Sequence, residues 1–269
     1  MPTLEEMARM RIVLQVPGME RVVVRRDLTY RQVDDVALGF DVYRPPAVPV
    51  ERRLPVVVLV HGGPVPAGTH PKDWGVFVST AELLAASGLA AVAFDHRLHA
   101  PTRFPEAESD VAALVEHVRA RATELGLDAD RIALWAYSGG GPLLSPFLRD
   151  APSWLRGVVA YYAALDLQQV PEGVPDVVGV ETRRAYSPVH HLATAARLPP
   201  LLVARAALDH PWLNGGIDRF VEAARARRAP LELLEHAAGH HGFEILDDVE
   251  RSREILRRTL AFLSTELTP

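Results

Sequence analysis

Cysteine is absent from the 269-residue sequence. That excludes disulfide staples, thiolate metal sites and a cysteine nucleophile. Lysine is nearly absent too, since Lys72 is the only one among 29 basic side chains. The arginines do not cluster and the formal net charge is −5, so there is no basic footprint for nucleic acid. No apolar run reaches the roughly 18 residues that a membrane span needs. Near the start, Glu5 and Glu6 stand where a signal peptide would be basic and then apolar, so a cytoplasmic protein is expected. The 11 histidines show no H-E-x-x-H or comparable ligand spacing. His190 and His191 are adjacent and point to different faces of a helix, so neither a metal nor another cofactor is expected.

What is present reads as one soluble domain over residues 1–269. Apolar residues make up 48% and charged residues 23%, an ordinary globular balance. Short β-branched runs alternate with helical patterns. Val22–Arg25 and Val36–Tyr43 suggest an antiparallel pair. Val56–Val60, Ala90–Phe94, Ile132–Ala136, Gly157–Tyr162, Pro200–Ala204 and Leu231–Leu234 read as buried strands. Helices are predicted over Trp74–Ser87, Glu106–Leu125, the stretch after Ser138 through Leu148, Leu213–Arg227 and Val249–Leu267. This alternation implies βαβ units: an α/β protein with a mostly parallel sheet of about eight strands and helices on both faces. Residues 1–18 are read as an apolar flap and 167–187 as a short cap insertion.

The sharpest local signal is Ala136-Tyr137-Ser138-Gly139-Gly140-Gly141. A serine on a tight strand-to-helix turn has its hydroxyl lifted clear of the sheet, and the residues two before and two after it must be small. Here they are Ala136 and Gly140. Upstream, His61-Gly62-Gly63-Pro64 follows a buried strand, and its glycines let backbone donors approach a developing oxyanion. The N–H of Gly62 or Gly63 and that of Gly139 are the candidate donors, while His61 is read as structural. Serine needs a base and the base needs an orienting acid. Asp209, just past the strand at Pro200–Ala204, is the predicted acid, ahead of Asp166 and Asp95. His241, after the strand at Leu231–Leu234, is the predicted base, ahead of His240, His210 and His236. Trp74, Tyr137, Trp212 and Phe243 are candidate pocket walls.

In this order the residues resemble the α/β-hydrolase superfamily over Val36 to Phe262. His61-Gly62-Gly63, Phe94-Asp95-His96-Arg97-Leu98 and Ser138-Gly139-Gly140-Gly141 look like hormone-sensitive-lipase-type esterases. His241-Gly242-Phe243 also looks like dienelactone-hydrolase relatives. The chain departs from the lipase-type pattern at Pro64, where a third glycine is usual, and at Tyr137, where an acid often stands. The resemblance implies a cofactor-free serine carboxylesterase acting through an acyl-serine. The small cap and uncharged rim point to short- to medium-chain esters. Alternatives are an acyl-peptide or amide hydrolase of the prolyl-oligopeptidase kind and an inactive hydrolase-fold binding protein. The edge strand near Leu231 and the last helix are candidate homodimer surfaces.

Overall fold

In the computed structural model, which describes residues 3–169 and 176–268, the β-branched runs form one sheet. Its strands are β1 (Val23–Val33), β2 (Val36–Arg44), β3 (Leu54–Val60), β4 (Ala90–Phe94), β5 (Leu127–Tyr137), β6 (Leu155–Tyr161), β7 (Leu201–Ala206) and β8 (Leu231–His236). They lie in the order β1-β2-β4-β3-β5-β6-β7-β8. The β1–β2 and β2–β4 pairs are antiparallel, and the remaining pairs are parallel.

The connecting helices are α1 (Leu4–Arg9), α2 (Gly75–Ala86), α3 (Phe104–Ala120), α4 (Ala122–Leu125), α5 (Ser145–Asp150), α6 (Val180–Ala185), α7 (Pro188–Thr194), α8 (Pro211–Ala226), α9 (Phe243–Leu246) and α10 (Glu250–Leu267). Successive strand side chains point to opposite faces, and both faces are covered. Val56, Val58 and Val60 pack with Val111 and Leu114 of α3 and Phe220 of α8. Val57 and Leu59 pack with Leu83 and Leu84 of α2 and Leu256 and Leu263 of α10. Two-sided burial is why β3 reads as an unbroken apolar run. Among the described residues, no helix is long and apolar enough to cross a membrane.

Several element boundaries differ from the sequence-based expectation, each for a local reason. β1 runs on to Val33, although most of its side chains are exposed or half-exposed. It is an edge strand with register shifts, held at one point by the Tyr30 hydroxyl donating to the Asp95 carbonyl at 2.7 Å. The helix expected over Glu106–Leu125 breaks at Arg121, and Gly126 ends α4 in the left-handed region at φ 68°. The expected single helix after Ser138 is instead a 3₁₀ stretch, Ser138–Leu144, followed by α5. Pro142 and Pro146 there lack the N–H groups an α-helix would use.

In the expected cap region 167–187, residues 170–175 lie outside the described residues. Val180–Ala185 forms α6. Near the start, Thr3 and Glu6 form a reciprocal capping box on α1. Ile12 donates its N–H to Ser79 Oγ of α2 at 3.0 Å, and Val13 donates to the Glu244 carbonyl at 2.8 Å.

Candidate active site

The carboxyl ends of parallel strands in an open α/β sheet face a crevice where ligands collect, and the predicted site residues lie along that edge. Ser138 directly follows β5 with φ 50°, in the left-handed region that a side chain enters at a cost of about 1–3 kcal/mol. Surrounding structure holds it there, including the Ala164 N–H donating to the Ser138 carbonyl at 2.9 Å.

The turn is pressed against the loop after β3, backbone on backbone. A Cβ on Gly139 would collide with the Gly63 carbonyl oxygen, and one on Gly140 would lie 2.5 Å from the His61 carbonyl oxygen. The small residue at 140 is therefore required by this loop. A Cβ on Gly62 would stand 3.0 Å from Ser138 Cβ. Ser138, Gly63 and Gly139 line one cavity.

His61 fixes the loop. Its Nε2 accepts the His96 N–H at 3.3 Å, so its Nδ1 carries the proton and donates to the Gly62 carbonyl at 2.6 Å. His96 stacks on it at 3.4 Å between ring centroids. Burial pushes the His61 imidazole down to about 4, so it stays neutral at physiological pH.

Asp209 follows β7 and His241 follows β8. His241 Nδ1 donates to Asp209 Oδ2 at 2.7 Å, and the other carboxylate oxygen accepts the His210 N–H at 2.6 Å. With Nδ1 committed, Nε2 is the atom left to act as base. Among the described residues, Ser138 makes no side-chain hydrogen bond to His241. Such contacts are often long before substrate binds.

The rival residues have other partners. Asp166 is buried and holds Arg219 Nε at 2.6 Å and the Gln168 N–H at 2.8 Å. Asp95 accepts from the Lys72 N–H and pairs with His70. His240 pairs with Asp247 at 2.8 Å. His236 bonds Ser252 Oγ and His210 caps α8.

The cavity at Ser138 measures about 350 Å³, near the small end of the roughly 300–1,000 Å³ typical of ligand pockets. Pro64, Phe104, Pro142, Leu167, Val178, Trp212 and Leu213 are among its apolar lining residues. Trp212 is fixed by its indole N–H donating to the Gln169 carbonyl. At one wall, Arg183 Nη1 pairs with Asp176 Oδ2 at 2.7 Å. Of the four aromatic residues predicted as walls, Trp212 lines this cavity. Trp74, Tyr137 and Phe243 instead pack in the core on the opposite face of the sheet. No described residue of the N-terminal segment lines the cavity.

Two residues that sequence reasoning did not single out adjoin His241. Tyr162, one residue past β6, sits at φ 37° with its ring centroid 4.5 Å from the imidazole. Its hydroxyl donates to Glu244 Oε1. Glu244 is 1% exposed, and burial raises its carboxyl to about 7. The signal was a glutamate three residues after the catalytic-histidine candidate, too short a pattern to distinguish from a surface turn.

Comparison with known proteins agrees with this fold. The BD-FAE family model matches residues 40–146. LipM, a probable carboxylic ester hydrolase of Mycobacterium tuberculosis, is 23% identical over 268 residues, covering 86% of this chain and 61% of LipM. Esterase LipI of the same organism is 26% identical, covering 77% of this chain and 71% of LipI. The chain thus spans about three fifths of LipM's length. Among solved structures, the apo form of Thermogutta terrifontis esterase 2 superposes with TM-score 0.74 at 25% identity, covering 95% of this chain and 98% of that one. Its butyrate-bound form gives 0.73 at 24%, covering 93% and 95%. The fold is the α/β-hydrolase fold, and the proteins the chain is similar to are esterases.

Proposed function

We propose that this protein is a serine carboxylesterase hydrolysing short- to medium-chain carboxylic esters, with Ser138 as nucleophile, His241 as base and Asp209 as the acid that orients it. The observation that carries the reading is the Asp209–His241 hydrogen bond of 2.7 Å on the strand edge where the strained Ser138 opens into an apolar cavity. His241 Nε2 takes the Ser138 proton as Oγ bonds to the ester carbonyl carbon. The carbonyl oxygen becomes an anion held by the N–H of Gly139 with that of Gly62 or Gly63. Collapse breaks the ester C–O bond, and His241 returns the proton to the departing alcohol. Water then attacks the acyl-serine with His241 again as base, and the acid leaves.

The small apolar cavity supports a short acyl chain, and no cofactor enters these steps. Trp212 is the pocket wall in this reading. The same reading takes residues 1–269 as one hydrolase domain, with 1–18 as a flap and 167–187 as a cap, working in the cytoplasm. It allows a homodimer through the open edge of β8 and α10, which light scattering would detect. Hydrolysis of p-nitrophenyl esters from acetate to laurate tests the function. Turnover should be greatest on short chains, fall beyond about eight carbons and vanish in Ser138→Ala. Turnover of aminoacyl amides but not esters would replace it with the peptidase-like alternative.

A further inference from the structure

The mechanism above uses Ser138, Asp209 and His241 and leaves a second buried carboxyl without a role. Glu244, the second residue of α9, lies three residues after His241, is 1% exposed, and has one oxygen bonded by the Tyr162 hydroxyl and the other without a partner among the described residues. Burying a carboxyl with an unsatisfied oxygen is costly. Among the described residues, Glu244 makes no salt bridge that would offset this cost. Tyr162 itself is held at φ 37°, a conformation that persists only where its surroundings impose it. Its ring lies against the His241 imidazole, at 4.5 Å between centroids and 53° between planes. The N-terminal segment closes the arrangement through the Val13 N–H on the Glu244 carbonyl at 2.8 Å.

We infer that Glu244, acting through the Tyr162 hydroxyl and ring, is a positioning residue for the base, holding the His241 imidazole in place and favouring the imidazolium that forms in each half of the reaction. This rests on the reading of His241 as the base, and goes beyond it by giving the site a second carboxyl whose charge state matters.

The titratable groups facing Glu244 are Tyr137 from β5, Tyr161 and Tyr162 from β6 and the residue after it, and His241 and Asp247 from its own loop. α10 adds the uncharged Thr259, bonded to Tyr161 at 2.6 Å. Burial raises the Glu244 carboxyl to about 7. It is therefore neutral below that pH and charged above it, and only the charged form attracts an imidazolium.

The test compares the native protein with Glu244→Gln and Tyr162→Phe. Glu244→Gln keeps the shape and removes the charge, and Tyr162→Phe keeps the ring and removes the link. The ratio of native to Glu244→Gln kcat/KM should be near one at pH 6 and rise to roughly tenfold at pH 8.5, the size of one well-placed charge. Tyr162→Phe should show a smaller rise of the same form. A ratio that is the same at every pH would make Glu244 merely structural and overturn the inference, as would no loss at all.

NMR titration of the His241 ring protons reads the same coupling without turnover. The native ring protons should titrate at a higher pH than those of Glu244→Gln, because only the native protein places a carboxylate behind the ring, and coincident curves would overturn the inference. If the native protein hydrolyses no ester yet its His241 curve is displaced from that of Glu244→Gln, the esterase reading fails and the coupling stands.

Discussion

Ser138 and Gly139 meet the loop after β3 so closely that their roles can be separated by single substitutions. Asp209 and Asp166 both follow strands on the same edge, and their partners distinguish them: Asp209 bonds His241, whereas Asp166 bonds Arg219. Asp209→Asn should lower kcat by about 10,000-fold, because an amide no longer fixes the imidazole tautomer. Asp166→Asn should leave kcat unchanged and lower unfolding free energy by about 1–3 kcal/mol as Arg219 loses its partner. Steady-state kinetics and urea unfolding on both variants check this, and the reverse assignment would exchange the two results.

Glu244 makes a stability prediction as well. Its folded value is raised from 4.5 to about 7, so between those values the folded state holds more protons than the unfolded state. Stability from this group therefore falls as pH rises through that window. Glu244→Gln removes the effect, so its stability relative to native should grow by roughly 3 kcal/mol from pH 4.5 to pH 8. A difference independent of pH, measured by urea unfolding, would contradict it.

The turn after β5 and the loop after β3 act as one unit. Gly139→Ala places a Cβ against the Gly63 carbonyl and should displace an oxyanion donor, lowering kcat about 100- to 1,000-fold while the circular dichroism of the folded protein is retained. Near-native activity would mean that Gly139 donates nothing. On α8, Trp212 walls the cavity, so Trp212→Ala should extend turnover to longer acyl chains, and an unchanged chain-length profile would remove it from the wall.

Strands buried on both faces were readable because five or more consecutive apolar residues, ended by turn residues, suit a strand covered from both sides: Ala90–Phe94 is β4 to the residue. β1 was only partly readable, since an exposed edge strand carrying Arg25, Arg26 and Arg31 has little apolar alternation. The placement of Ser138, Asp209 and His241 on one strand edge was legible from chain order and from their places after strands. The pocket was less so. Side chains alternate across the sheet, and Tyr137 at the end of β5 falls on the face opposite the cavity. Its aromatic character alone does not reveal that. Glu244 was hidden because its partner Tyr162 is 82 residues away in sequence.

At the scale of the molecule, the sheet does one thing for the site: it sets the ends of β3, β5, β6, β7 and β8 side by side, so that residues as far apart as Gly62 and His241 share one edge. The core that holds this edge is thick on both faces, and Leu59 or Leu256 to Ala should lower stability by about 2–5 kcal/mol. The apolar cavity, about 350 Å³ at one end of that edge, limits what can reach Ser138. In the proposed mechanism, attack by that one hydroxyl is the step on which the rest depends. The most direct measurement is to incubate the native protein and Ser138→Ala with an organophosphonate and map the adduct by peptide mass spectrometry. A single adduct on Ser138, absent from the variant and formed in step with loss of p-nitrophenyl butyrate hydrolysis, is the predicted result. An adduct on another residue, or hydrolysis persisting in Ser138→Ala, would contradict it.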